Sequence, residues 1–269
     1  MISSISTKAG MDLPDVTYIT VHQYIEHSIQ QREIAISTEY PVLVTINERP
    51  LLTIACSGNN IVDLVTGHLA AEGMITSKDD IQRLHFDESL MVAEVSIKPS
   101  EKVNTILSST PSLATCGGGS KRNLPSRDHV HSSLPDVKAG IINHCMDTFL
   151  HQSSLHQATH GVHSSAMLDL DGNQVVFCDE IGRHNAIDKV IGYAVNNNIP
   201  LHDKMVLSTG RISSEIVMKL ILSGIPVFIS RASPTSFCVD LVKEYNMICI
   251  CRARNNGFTI INGHEQILL

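Results

Sequence analysis

The chain has 269 residues, 43% of them hydrophobic, enough for one large or two ordinary domains around a proper core. Its formal charge of −7 argues against attraction to nucleic acid or an anionic membrane as the basis of function, yet permits a local basic site for a phosphorylated ligand. No apolar run approaches bilayer-spanning length and no charged n-region precedes an apolar h-region, so a cytoplasmic protein with no nucleic-acid and no membrane partner is expected.

Residues 1 to about 15, polar and turn-rich, read as a disordered end, and the N-terminal part that follows reads as mixed strand and turn. Pro41–Ile46 and Leu51–Ala55 flank Asn47-Glu48-Arg49-Pro50, the composition of a hairpin connection. Asn59 or Asn60 then caps a helix through Ile61, Leu64, Val65, His68 and Leu69, which Gly73 ends. A further strand, Leu90–Ile97, leads to a polar segment from about Ser108 to Ser133.

That segment holds Cys116-Gly117-Gly118-Gly119-Ser120-Lys121-Arg122, one thiol on a glycine hinge followed by two cations. Glycines free the backbone, and Lys121, Arg122 and Arg127 favour the thiolate, so the segment reads either as an arm that carries sulfur or as a flexible loop with an incidental cysteine. The other cysteines, Cys56, Cys145, Cys178, Cys238, Cys249 and Cys251, sit inside predicted elements and fail on access. An odd count without a secretory signal argues for reduced thiols. Only Cys249 and Cys251 are close in sequence, with the wrong spacing for structural zinc, and the fourteen histidines are scattered.

Beyond the loop the pattern changes. Val137, Ile141, Cys145 and Phe149 share one face, so the spacing predicts an amphipathic helix over 135–150 with Pro135 near its first turn. Ala166–Leu170 and Gln174–Cys178 form a hairpin around Asp171-Gly172. Helix 185–197, strand 204–208, helix 213–223, strand 225–230, helix 234–245 and strand 247–252 then alternate as βαβ crossovers require, so the C-terminal half is an α/β layered domain.

In such a domain the loops at the strand carboxyl ends hold the ligand. Three are chemically loaded: Asp179–Lys189, Ser208–Glu215 and Ser230–Ser236. Arg183, Arg211 and Arg231 are expected to converge on one rim suited to phosphates, against the plainer reading of capped helices with exposed arginines. His163 and His184 are the pocket histidines, read as hydrogen-bonding or positioning groups.

The string Glu180-Ile181-Gly182-Arg183-His184-Asn185-Ala186-Ile187-Asp188-Lys189-Val190-Ile191-Gly192, with Ser208–Glu215 downstream and Thr159-His160-Gly161-Val162-His163 upstream, resembles the formate dehydrogenase accessory proteins, sulfur carriers of molybdenum cofactor maturation. The resemblance covers nearly the whole chain. It implies a cytidine-deaminase-like three-layer α/β domain over 134–269, a smaller N-terminal α+β domain over 1–108, a mobile glycine/cysteine loop over 109–133, and a homodimer. It implies a sulfurtransferase that takes persulfide sulfur from a cysteine desulfurase and delivers it to molybdenum bis(molybdopterin guanine dinucleotide), bound as transferred substrate, before that cofactor enters formate dehydrogenase. Cys116 matches the persulfide-forming cysteine, and Arg252, Ala253, Arg254, Asn255, Asn256 and Gly257 match the cofactor-binding stretch, with Arg211, Arg183 and His184 beside it. Many members carry a second loop cysteine, where this chain has Gly119. A zinc deaminase on the related fold needs His/Cys-x-Glu followed by Pro-Cys-x-x-Cys, and neither string occurs, so no zinc is expected. A guanine-nucleotide-binding chaperone with an inert Cys116 is the other alternative.

Overall fold

The computed structural model describes residues 4–5, 13–108, 112–114 and 124–269. Its N-terminal elements are β1 (Ser4–Ile5), β2 (Val16–Ile25), β3 (Ser28–Ser37), β4 (Tyr40–Ile46), β5 (Arg49–Cys56), α1 (Ile61–Ala71), β6 (Ile81–Asp87), β7 (Val92–Ile97), α2 (Glu101–Leu107) and β8 (Ser112–Ala114). Except for β2 and β3 the strands form one mixed sheet in the order β1-β6-β7-β4-β5-β8. The β4–β5 turn is tighter than the sequence suggests. Asn47 and Glu48, at φ 48° and 67°, make a two-residue connection whose positive φ angles match strand twist. Strands β2 and β3 form a separate ribbon turning at Glu26 and His27, also at positive φ, a pair without the usual glycine signal. Helix α1 stops as expected: Gly73 takes φ 66°, its N–H reaches the Ala70 carbonyl, and the Met74 N–H reaches that of Leu69.

The C-terminal elements are β9 (Val137–Lys138), α3 (Ala139–Gln152), α4 (Ser154–Thr159), β10 (His163–Asp169), β11 (Gln174–Glu180), α5 (Arg183–Asn196), β12 (Lys204–Ser208), α6 (Ser214–Leu222), β13 (Val227–Ser230), α7 (Ser236–Glu244), β14 (Ile248–Arg254), β15 (Gly257–Asn262) and β16 (Ile267–Leu268). The helix expected from Pro135 begins only at Ala139, because Val137 and Lys138 pair in parallel with Ile267 and Leu268. The large sheet runs β11-β10-β12-β13-β14-β15, with β12, β13 and β14 parallel as the βαβ pattern requires.

Alternation along these strands sends side chains to two cores. Ala166, Leu168, Leu207, Ile229 and Ile250 pack with Ile142, Met146 and Phe149 of α3. Met167, Val206, Phe228, Cys249 and Cys251 face the other way, toward α5, α6 and α7. That second core continues without a break into the N-terminal sheet, because α1 packs directly on α5. The chain is thus a mixed α/β fold with multiple sheets.

Of the segment expected to be a free loop, Ser112–Ala114 pairs in parallel with Leu52–Ile54. Farther on, the Tyr245 hydroxyl donates to the Pro125 carbonyl, the His131 N–H donates to the Tyr245 carbonyl, and the Asn246 amide donates to the His131 carbonyl. The loop is therefore tied to β5 and to the end of α7. Cys116, with residues 115–123, lies outside the described residues, as does most of the end expected to be disordered.

Candidate functional site

The string that carries the family resemblance builds a buried clamp. Glu180 and Lys189 are fully buried and paired, with Nζ 2.6 Å from Oε2. The Ser57 N–H and hydroxyl both donate to Glu180, at 2.8 and 2.9 Å, and Lys189 also reaches Ser57 Oγ and Asn59 Oδ1, each at 2.8 Å. Asn185 donates to the Ala55 carbonyl at 2.8 Å. One turn along α5, Asp188 takes two hydrogen bonds from Lys219 of α6, at 2.7 and 2.8 Å, with His68 of α1 at 3.4 Å. Burial alone would push the Asp188 carboxyl up, but Lys219 and His68 hold it below the usual carboxylate range. These contacts lock the segment after β5 onto α5.

Because both charges of the Glu180–Lys189 pair are fully buried, Lys189→Met should cost about 3–5 kcal/mol by leaving a buried carboxylate uncompensated. Glu180→Leu combined with Lys189→Met should recover part of that loss. Urea unfolding of the two single variants and the double variant measures both numbers.

The loops after β12, β13 and β14 open on one edge of the large sheet, where two adjoining cavities lie. The first, of about 330 Å³, is lined by Asn143, Asp147 and His151 of α3 and by Arg231, Arg254, Asn255 and Asn256. Asn255 and Asn256, at φ 53° and 57°, form the two-residue turn between β14 and β15, and this turn presents Arg254. The second, of about 340 Å³, is lined among others by His156, His160, His163, Ser164, Thr209 and Arg231. Leu150 and Arg231 border both cavities.

At the second cavity His163 Nδ1 lies 3.3 Å from Thr209 Oγ1, which also accepts the Ser164 N–H at 3.0 Å. Burial, then the Arg183 and Arg231 charges, hold the His163 imidazole below its ordinary value. Asp179 accepts from Ser153 Oγ at 2.8 Å and Ser164 Oγ at 2.6 Å, and Ser153 caps α4 by accepting from the His156 N–H. The wall of histidines is thereby fixed to the sheet.

Of the residues picked from the sequence, Arg254, Asn255 and Asn256 line the first cavity together. Ala253 is buried in the core and Gly257 pairs across the turn with Arg254. Arg252, at φ 54°, directs Nε to Ser233 Oγ at 3.1 Å. Arg183 packs over Gly210, where a Cβ would meet its side chain at 2.8 Å, and its Nε is buried without a hydrogen-bond partner among the described residues. Arg211 is exposed at the head of the loop before α6. His184 turns away from both cavities, with Nε2 3.1 Å from Glu215 Oε2 and 3.4 Å from Ser213 Oγ. Arg231, expected on the rim, is the charged group that the two cavities share. Asn143, Asp147 and His151 escaped notice, although their i, i+4, i+8 spacing marks one polar stripe on α3.

The six cysteines within the described residues are all buried and unpaired. Burial pushes every one of these thiols up, Cys56 and Cys178 to about 12. Among the described residues no three His, Cys, Asp or Glu side chains are grouped to hold a metal, and no helix is long and apolar enough to cross a membrane.

A family model described as the FdhD/NarQ family matches residues 37–268. A protein of Bacillus licheniformis named sulfur carrier protein FdhD is 31% identical over 252 residues, 92% of this chain and 95% of that protein. A Staphylococcus aureus protein of the same name is 32% identical over 236 residues, covering 86% of this chain and 88% of its own. The crystal structure of a formate dehydrogenase accessory protein from Desulfotalea psychrophila superposes with a TM-score of 0.77 at 21% identity, over 95% of this chain and all of that one, and so shares the fold.

Proposed function

The chain belongs to the FdhD/NarQ family, and on that premise we propose that it is a sulfur carrier serving formate dehydrogenase. It takes persulfide sulfur from a cysteine desulfurase and passes it to molybdenum bis(molybdopterin guanine dinucleotide), its substrate, before that cofactor is inserted. The observation that carries this reading is the burial of six of seven cysteines as thiols, which leaves Cys116 to do thiolate chemistry. The Cys116 thiolate attacks the terminal sulfur of the donor persulfide. As the new S–S bond forms the donor's breaks, and the desulfurase cysteine leaves as thiolate with no oxidant consumed. In this sense the protein is a sulfurtransferase. Unpaired cysteines suit the reducing cytoplasm in which we place it, working as a homodimer on a deaminase-type scaffold.

The cofactor side of the reading rests on the groove of joined cavities, where Arg254 and Arg231 supply guanidinium forks to phosphates and Asn255 and Asn256 supply amides. Arg254→Ala should weaken binding of guanosine diphosphate, measured by calorimetry, about tenfold or more, the worth of a charge-assisted hydrogen bond. Unchanged affinity would place the nucleotide elsewhere. Incubation with a cysteine desulfurase and free cysteine, followed by thiol mass spectrometry, tests the carrier role itself. A gain of one sulfur is expected; a chain that binds guanosine diphosphate and never gains sulfur is a chaperone instead.

The scaffold works without zinc on this account: a zinc site needs a ligand triad beside a glutamate base, and none is grouped among the described residues. Elemental analysis of purified protein should find no stoichiometric zinc after dialysis against a mild chelator. Zinc that persisted would restore the deaminase reading.

A further inference from the structure

We infer that the second cavity is an oxyanion compartment, in which His163 donates a hydrogen bond through Nε2 and Arg231 supplies the charge, and that filling it draws one proton onto His163. The inference rests on reading the groove as a site for a phosphorylated cofactor and adds a division of labour to it. The hairpin turn carries amides beside Arg254, which suit a nucleoside and the phosphate next to it, whereas the second cavity carries hydroxyls, imidazoles and a guanidinium, which suit a compact, multiply charged anion.

The hydrogen bonds accommodate the tautomer that the inference requires. Thr209 Oγ1 accepts the Ser164 N–H and keeps its own hydroxyl proton free to donate, and in this arrangement that proton goes to His163 Nδ1, 3.3 Å away. An Nδ1 that accepts leaves the ring proton on Nε2. Nothing anionic is spent on Arg231, since no carboxylate pairs with it among the described residues, and the Arg183 Nε is likewise buried without a hydrogen-bond partner there. The surroundings of His163 are cationic. The charges of Arg183 of α5 and Arg231 after β13 act on it, and the His156 and His160 imidazoles line the same cavity. In the neighbouring strand Asp179 is held by Ser153 and Ser164, and Glu180 is neutralised by Lys189 on the side facing α5. Two guanidinium charges and burial keep the imidazole neutral while the cavity holds no anion. An anion of charge −2 or more offsets those charges, so the cost of a second proton on the ring falls away and Nδ1 takes it up, with Thr209 turning to accept.

Inorganic pyrophosphate is the probe. Calorimetry at pH 7 in two buffers of different ionisation enthalpy should show proton uptake on binding, and the His163 ring signals in NMR should titrate at higher pH with pyrophosphate than without. Arg231→Ala should weaken pyrophosphate binding at least tenfold, and His163→Asn should abolish the proton uptake and weaken binding by a similar factor. The wild-type NMR titration stands even if a variant fails to fold. A ring that titrates identically with and without saturating pyrophosphate, or absence of pyrophosphate binding at millimolar concentration, overturns the inference. Guanosine diphosphate binding that persists with sensitivity to Arg254→Ala would then still support the groove; loss of that sensitivity strikes the groove reading instead.

Discussion

Gly192→Ala should destabilise the protein by about 3 kcal/mol or more, a large share of the roughly 5–15 kcal/mol that holds a typical fold together. The reason is the crossing of α1 and α5. A Cβ on Gly192 would stand 1.8 Å from the Asp63 carbonyl oxygen, and one on Gly67 would stand 1.7 Å from that of Asp188. Both obstacles are backbone, so no rotamer change relieves them and the helices must part. Parting them opens the core that the two sheets share and stretches the Glu180–Lys189 clamp beside it. Urea unfolding measures the effect, with Gly140→Ala as the control, since a Cβ there meets nothing within 4 Å and improves helix propensity. A Gly192→Ala variant as stable as its parent would show that the helices do not touch backbone to backbone.

That crossing also explains what could be read from the sequence. The strand and helix alternation beyond residue 160 was legible because β12, β13 and β14 are buried runs between amphipathic helices. Helix α5 was placed nearly to the residue, but its role was not. It is buried on almost every side from His184 to Val195, so its charged residues carry no outward-facing pattern. Asp188 and Lys189 look like ligand groups in a string and become clamp members only once α1, α6 and the segment after β5 pack around them. Sequence spacing says nothing about partners 130 positions away.

The site was half legible for a similar reason. Strand-end logic led to the rim containing Arg231, since βαβ topology fixes where those loops emerge, and the family resemblance pointed to Arg254. Neither could tell that Ala253 faces the core, that Arg252 turns to Ser233, or that His184 packs against Glu215. The contribution of α3 was hidden because its polar stripe is also what an exposed helix face looks like. The β2–β3 ribbon was missed because Glu26 and His27 adopt a turn normally signalled by Asn-Gly. Its root lies near the site: Ser37 Oγ donates to Thr159 Oγ1, beside His160 and Gly161 at the second cavity.

The central claim is that one thiol carries the sulfur. Its burden falls on Cys116, because the remaining six cysteines are buried and their thiols resist ionisation. Cys116→Ser changes one atom, sulfur to oxygen, so folding and guanosine diphosphate binding should be those of the parent. Sulfuration should not. The decisive measurement is intact-protein mass spectrometry of parent and Cys116→Ser after identical incubation with a cysteine desulfurase and free cysteine, followed by reduction of half of each sample. The account predicts one added sulfur on the parent, removed by reductant, and none on the variant; an added, reducible sulfur that persists in Cys116→Ser would contradict it.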